Sequence, residues 1–164
     1  MACSGWDAHG LVPPAADRML PAFNTRVPTC QAGNPTPGPS LPTRSRKQAL
    51  AGRICSALAI HCTIEEEIFY PAFIEATEDK DLHHEAIVEH NAAKTLIAEI
   101  EASSPEDDFF DAKVKVLSEM SKHHVKDEEQ PGGMFAEARK SNMDLVTLGK
   151  EMKLRKKDLE GQRR

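Results

Sequence analysis

The sequence has few aromatic residues, no long apolar run and only a modest net charge. Aromatic residues make up 5% of the chain, which disfavours a β-sandwich or barrel and suits an aliphatic helical core. The formal net charge of -5 argues against a nucleic-acid partner, because nucleic-acid binding needs a basic surface. No stretch approaches the roughly 20 apolar residues of a membrane span, so we expect no membrane partner.

A secretory signal and paired cysteines are also absent. The N-terminus has neither the basic start nor the apolar stretch of a signal peptide, and we therefore expect a soluble, cytoplasmic protein. The four cysteines form no Cys-x-x-Cys pair, so neither a zinc ribbon nor a thioredoxin-like motif is indicated. Cys55 and Cys62 are expected to be small buried hydrophobic residues. A redox role for Cys62 is the alternative.

Composition changes abruptly near residue 44. Eight of the eleven prolines lie in residues 1–43, where they disfavour helix because proline lacks the backbone donor. We expect residues 1–44 to be a Pro-rich, largely disordered segment that offers a short helix only at residues 14–23. Residues 45–142 are predicted to form the single domain that a chain of 164 residues can hold. Residues 143–164 are predicted to be a helical extension with a basic end.

Three segments carry apolar residues at spacings of three and four, which is typical of helices that bury one face in a bundle. The predicted helices are about residues 46–76 and 82–102, a third from Ser104-Pro105 onward, and shorter ones at 134–140 and 143–159. Pro131-Gly132-Gly133 is expected to end the third helix. The pattern predicts an all-α fold, an antiparallel helical bundle.

Each of the three predicted stripes carries a histidine where an apolar residue is expected. Two stripes add a glutamate one turn later, as His61-x-x-x-Glu65 and His124-x-x-x-Glu128, and the middle helix contributes His90. Side chains at positions i and i+4 lie on one helix face, about 5–6 Å apart at Cβ. Each pair can therefore offer an imidazole nitrogen and a carboxylate oxygen to the same centre.

Buried glutamates need a compensating charge, because an isolated buried carboxylate is very costly. No lysine or arginine lies on the three stripes, whereas a metal ion would offset the charge. Mixed imidazole and carboxylate ligation suits iron or manganese, and helical bundles house di-iron carboxylate sites. The alternative is that the histidines are hydrogen-bonded core residues and the pairs are ordinary ion pairs.

The neighbouring polar residues are expected to play lesser parts. We expect Glu66, Glu67 and Glu129 to be solvated, His83 and His84 to be exposed, and His123 to lie behind the ligands or at the surface. Glu89, beside His90, is a weak candidate for an extra ligand. Tyr70 and Phe69 are expected to be core residues.

The residues around these positions resemble the hemerythrin-like (HHE cation-binding) domain family. Residues 61–71 look like that family's His-x-x-Ile-Glu-Glu-Glu-Ile-Phe-Tyr-Pro signature, and residues 85–90 and 123–129 are similar to its second-helix and third-helix motifs. The resemblance covers about residues 46–158. It implies a non-haem iron centre of two ions bridged by the glutamates and by an oxo or hydroxo group. The ligands that it implies are His61, Glu65, His90, His124 and Glu128.

The N-terminal region departs from the family pattern. The family's first helix bears an Asp-His motif, and Asp7-Ala8-His9 is not a convincing equivalent, so we expect that helix to be missing or degenerate. A bundle without it exposes apolar surface, and we expect weaker metal retention. The C-terminal segment, residues 14–23 or a second copy of the chain in a homodimer would cover this surface.

The function expected from these features is a non-haem iron protein that binds or senses dioxygen, nitric oxide or iron itself. One alternative is a di-iron peroxidase or nitric-oxide-repair enzyme at the same centre, although the sequence offers no obvious general acid or substrate pocket. The other alternative is a metal-free bundle that acts as an interaction or regulatory module.

Overall fold

The computed structural model describes residues 43–162, and all regular structure within that range is helical. The all-α bundle expected from the sequence is confirmed. The elements are α1 (Thr43–Ile64), a π-helical turn (Glu65–Phe69), α2 (Tyr70–Thr77), α3 (Lys80–Ala102), α4 (Phe110–Glu129), α5 (Met134–Lys140) and α6 (Leu145–Gln162). The expectations of a disordered segment, a short helix at 14–23 and a missing first helix lie outside the described residues.

The first rod of the bundle runs through α1, the π-helical turn and α2. In the π-helical turn the backbone N–H of Tyr70 donates to the carbonyl of Glu65, five residues earlier. This wider turn rotates α2 relative to α1, so the side chains after it do not follow the phase that a continuous α-helix would have. The rod ends where Glu78 adopts a left-handed conformation (φ 57°), and Asp79 caps α3 by accepting from the Leu82 N–H at 3.2 Å.

The core consists of two apolar clusters separated by a polar layer. The helix α3 packs against both α1 and α4. One cluster is formed by Ala51, Cys55, Leu58, Ile97, Ile100, Phe110 and Leu117. The other is formed by Phe69, Tyr70, Phe73, Ala86, Met134 and Ala138. The buried polar residues lie between them along each helix, and they are His61, Glu65, His90, Ser121, His124 and Glu128.

The helix α4 ends at Glu129, just before Pro131-Gly132-Gly133, as expected. Gly132 adopts φ +87°, which glycine accommodates at no steric cost. Gly133 lies so close to the backbone carbonyls of Asp127 and Glu128 that a Cβ there would overlap them. The turn therefore requires glycine, and it returns α5 against α4 and α2.

The last helix, α6, lies against α1 and the π-helical turn. Arg155 holds it there by donating two hydrogen bonds to Glu67, at 2.7 and 3.0 Å. The C-terminal segment was one of three candidates to cover the bundle, and it does contact α1. The homodimer and the domain boundaries at residues 44 and 142 stay predictions. No helix among residues 43–162 has the length and apolar character to cross a membrane.

Candidate metal centre

Four of the five predicted ligands converge in the polar layer. His61, Glu65, His90 and His124 each offer a nitrogen or oxygen atom, and these atoms all lie within 4.8 Å of one another. Glu65 is central, because its Oε1 lies 3.2 Å from His61 Nδ1 while its Oε2 lies 3.4 Å from His90 Nε2 and 3.7 Å from His124 Nε2. All four side chains are buried.

The fifth predicted ligand, Glu128, borders this cluster. Its Oε2 lies 3.6 Å from His124 Nε2, and its Oε1 accepts a hydrogen bond from the Tyr70 hydroxyl at 3.3 Å. Glu128 is 5% exposed, so it shares the buried environment of the other four. The structure thus brings all five residues together, and their role as metal ligands stays a prediction.

Tyr70 is the polar member of the centre that the sequence did not reveal. It was expected to be a core residue, and it is buried. Its hydroxyl oxygen, however, lies 3.1 Å from His90 Nε2 and 3.3 Å from Oε2 of Glu65, in addition to its contact with Glu128. The single tyrosine of the chain therefore links groups from three helical elements.

Two carboxylates hold the histidines from behind. Glu66 Oε1 lies 3.0 Å from Nδ1 of His90, and Glu89 Oε2 lies 2.8 Å from Nδ1 of His124. When Nδ1–H donates to a carboxylate, the lone pair of Nε2 is left to face the centre, which is the arrangement found around metal-binding histidines. Lys94 fixes Glu66 in turn, through contacts of 2.6 and 2.5 Å.

These partners correct the expectation for Glu66, whereas the weak candidacy of Glu89 as a ligand stays a prediction. Glu66 was expected to be solvated, but it is only partly exposed and bonded to His90 and Lys94. Glu89, the weak candidate for an extra ligand, contacts the outer nitrogen of His124. Each serves a histidine on a different helix, so no spacing within one helix could have predicted the contact.

Several other residues lie where expected, with one exception. His84 and Glu129 are exposed, and the exposed Glu67 is paired with Arg155. His83 was expected to be exposed, but it is half-buried and meets the Tyr70 ring edge-on at a centroid distance of 5.7 Å.

The two cysteines in the described range are buried free thiols, as expected. Burial raises the pKa of Cys62 to about 12 and that of Cys55 to about 11. Both therefore remain protonated thiols at neutral pH. This favours the packing role, because the thiolate is the reactive form of cysteine.

The environment of the centre shifts the pKa values of Glu65 and Glu128 in opposite directions. Burial disfavours ionisation of Glu65, but the facing charge of His61 and hydrogen bonds from His124 and His90 outweigh it and lower the Glu65 pKa to about 2. Burial together with the charge of Glu65 raises the pKa of Glu128 well above its usual range. Without a cation, the charge of Glu65 therefore disfavours ionisation of Glu128.

The pKa values of His61 and His124 are also shifted in opposite directions. Burial lowers the pKa of His61. Burial acts in the same direction on His124, but the hydrogen bond to Glu65 and the charges of Glu128 and Glu65 outweigh it and raise the His124 pKa to about 9.

The donor set fits a cation. Within residues 43–162, neither ring nitrogen of His61 has a hydrogen-bond partner, although both are buried. Buried polar atoms in folded proteins nearly always have such a partner. The Nε2 atoms of His90 and His124 also face each other at 3.1 Å. Imidazole nitrogens and carboxylate oxygens that converge in this way are suited to iron or manganese.

Comparison with known proteins agrees with this geometry. The sequence model of a family described as the hemerythrin HHE cation-binding domain matches residues 19–131, about two thirds of the chain. The match begins upstream of the expected residue 46 and ends at Pro131, before α5 and α6. Searches of curated proteins and of solved structures gave no match. The family match and the buried His/Glu cluster together show that the chain is a helical metal-binding protein that belongs to the hemerythrin HHE cation-binding domain family.

Proposed function

We propose that the polar layer holds two non-haem iron ions and that the protein uses them to bind or sense a small diatomic ligand, such as dioxygen or nitric oxide, or iron itself. The observation that carries this proposal is the pair of buried ring nitrogens of His61, which make no hydrogen bond among residues 43–162 although Glu65 Oε1 lies 3.2 Å from Nδ1. They lie in a cluster of imidazoles and carboxylates and not in an apolar core.

The two oxygens of Glu65 support a pair of ions over a single ion. Oε1 faces His61, and Oε2 faces His90 and His124. One carboxylate that addresses histidines on two sides is suited to bridging two cations. Glu128, next to His124, would supply a second carboxylate, so that the negative charge of both glutamates is offset.

A cleft beside the centre supports a small ligand. It has a volume of about 240 Å³ and reaches His61, His90 and His124. Much of its lining is apolar and includes Leu58, Ala93 and Met120. Such a cleft admits a small molecule, while it leaves little space for a large substrate. Reduced iron, when bound, supplies the affinity for a diatomic ligand and the redox chemistry.

The proposal is tested by metal content and absorption. The full-length protein is reconstituted with ferrous iron without air, desalted, and analysed for iron per chain before and after exposure to air. We expect about two iron ions per chain and a visible absorption change in air, both lost in His61→Ala and Glu65→Ala. The control is His84→Ala, which removes an exposed histidine. Wild-type protein that retains no iron would refute the proposal.

One observation favours an enzyme as the second candidate. The Tyr70 hydroxyl provides a hydrogen-bonding group within reach of three members of the centre, where it could orient a bound substrate. A peroxidase-like activity would therefore depend on Tyr70 as well as on iron. Iron-loaded protein that consumes hydrogen peroxide, and a Tyr70→Phe variant that keeps its iron but loses the turnover, would favour this candidate.

A further inference from the structure

A second group of potential ligands lies at the surface beside the buried centre. Glu89, His123 and Asp127 each offer one atom, and these atoms lie within 4.8 Å of one another. His123 Nε2 is 3.2 Å from Asp127 Oδ2 and 3.6 Å from Glu89 Oε1. The side chain of His123 is 64% exposed, so a hydrated ion can reach it. One imidazole and two carboxylates suit a divalent cation such as ferrous iron or manganese.

Glu89 connects this outer group to the buried centre. Its Oε1 faces His123, while its Oε2 contacts Nδ1 of His124 at 2.8 Å. The two oxygens of one carboxylate therefore contact a surface histidine and a buried histidine. The carboxylate that orients His124 is therefore also a member of the outer group.

The cleft of about 240 Å³ is lined by residues of both the outer group and the buried centre. Its outer lining includes Glu89 and His123, and its inner lining includes His61, His90 and His124. The ring nitrogens of His61 are the buried polar atoms at this inner end without a hydrogen-bond partner among the described residues. His61 is 7% exposed, so the cleft leads from an accessible group of ligands to a buried histidine that makes no hydrogen bond among the described residues.

Glu89 also lines a smaller cavity. It has a volume of about 20 Å³, which is roughly the space of one water molecule. Glu89, Asp127, His124 and Glu128 all contribute to its lining. Carboxylates of the outer group thus line a cavity that reaches Glu128 at the edge of the buried centre.

We propose that Glu89, His123 and Asp127 form an entry site for divalent cations, from which ferrous iron passes along the cleft into the buried centre. This inference rests on the proposed function, since it assumes that the buried centre takes up iron. The entry site holds the ion while part of its hydration shell is removed. Its members His123 and Asp127 are not part of the set that retains the iron at equilibrium, whereas Glu89 also supports His124.

The first experiment measures the rate of iron uptake. Metal-free full-length protein is mixed with ferrous iron without air, stopped at set times with a chelator, desalted and analysed for iron. The variant is His123→Gln with Asp127→Asn, and Glu89 is left intact because it also contacts His124. We expect uptake to slow about tenfold or more, as electrostatic guidance of ions affects rates on this scale, while the final iron content stays at the wild-type value.

The matched control is His84→Gln with Glu119→Gln, which removes one exposed histidine and one exposed carboxylate elsewhere on α3 and α4. Its uptake rate should equal that of the wild type. Equal rates in the entry-site variant and the wild type would overturn the proposal. A lower final iron content in that variant would also overturn it, because His123 and Asp127 would then belong to the retaining site.

The second experiment separates this proposal from the proposed function. In a His61→Gln, Glu65→Gln background, manganese(II) is titrated and the free ion is measured by electron paramagnetic resonance. We expect about one weakly bound ion per chain, lost when Asp127→Asn is added. Absence of binding in this background would refute the entry site even if wild-type protein holds iron. Binding here, with no iron uptake by the wild type, would refute the proposed function and the loading role while leaving an outer cation site.

Discussion

The phenolic oxygen of Tyr70 lies 3.1 Å from Nε2 of His90, although the two residues are on different helices and Tyr70 begins α2. The π-helical turn Glu65–Phe69 makes this contact possible. In a regular α-helix, residue 70 would point about 140° away from residue 65, since each residue advances the helix by about 100°. The hydrogen bond from the Tyr70 N–H to the Glu65 carbonyl widens the turn. Tyr70 then faces the same centre as Glu65, as π-helical turns at functional sites often achieve.

Replacing Tyr70 with phenylalanine tests this contact. The change removes only the hydroxyl, which leaves the buried Glu65 and Glu128 without their shared donor. We expect the metal-free protein to lose about 1–3 kcal/mol of unfolding free energy, measured by urea unfolding, and the iron-loaded protein to release iron faster to a chelator. The control is Thr77→Val, which removes a hydroxyl that donates to the Phe73 carbonyl away from the centre. If both variants release iron at the wild-type rate, Tyr70 has no role in holding the ligands.

A second prediction concerns Glu66 and Glu89, the carboxylates that contact Nδ1 of His90 and of His124. Glu66→Gln and Glu89→Gln each keep the shape of the side chain and remove its charge, so that the imidazole is a weaker donor to the metal and is oriented less firmly. We expect each change to weaken iron affinity about 10-fold to 100-fold, measured by competition with a chelator of known affinity. Glu99→Gln, an exposed position on α3, should leave the affinity unchanged. Wild-type affinity in both test variants would contradict the contacts.

The sequence predicts those parts of the centre that depend on the spacing of residues within one helix. His61 with Glu65 and His124 with Glu128 are i,i+4 pairs, so their shared face follows from the geometry of one helix. Three features could not be predicted in this way. Tyr70 depends on a π-helical turn, which interrupts the spacing that the pattern assumes.

The other two features depend on contacts between helices. Glu66 and Glu89 sit beside predicted ligands in sequence, yet each contacts a histidine on another helix, and only the packing of α3 against α1 and α4 brings them there. The end of α4 was predictable, because Pro131 and the two glycines after it are poor helix formers.

The stability of the metal-free protein should depend on pH through His124. Its pKa rises from 6.5 to about 9 on folding, so the folded state binds a proton more tightly than the unfolded state. The stabilisation is fully present below pH 6.5 and is lost as the pH rises through about 9. The raised pKa of Glu128 acts in the same direction. We expect the unfolding free energy to fall by about 2 kcal/mol between pH 6.5 and 9.

This dependence is measured by urea unfolding of chelator-treated protein at a series of pH values. His124→Gln should flatten the curve, because the titrating group is gone. His123→Gln removes the adjacent but exposed histidine and should retain the wild-type slope. A wild-type unfolding free energy that is constant or rises over this range would show that His124 does not carry the folded-state charge.

Replacing glycine with alanine should have opposite effects on stability at Gly133 and at Gly149. A Cβ at Gly133 would overlap the carbonyl oxygens of Asp127 and Glu128, and these are backbone atoms that can move only if the end of α4 moves. We expect Gly133→Ala to cost about 2–3 kcal/mol of unfolding free energy, and to weaken iron affinity because it displaces Glu128. Gly149→Ala, inside α6 with open space around the added methyl, should instead raise stability by up to about 1 kcal/mol, since alanine favours helix over glycine. Urea unfolding of both variants compares the two effects directly. A Gly133→Ala variant at least as stable as the wild type would mean that the turn after α4 is not packed tightly enough to position Glu128.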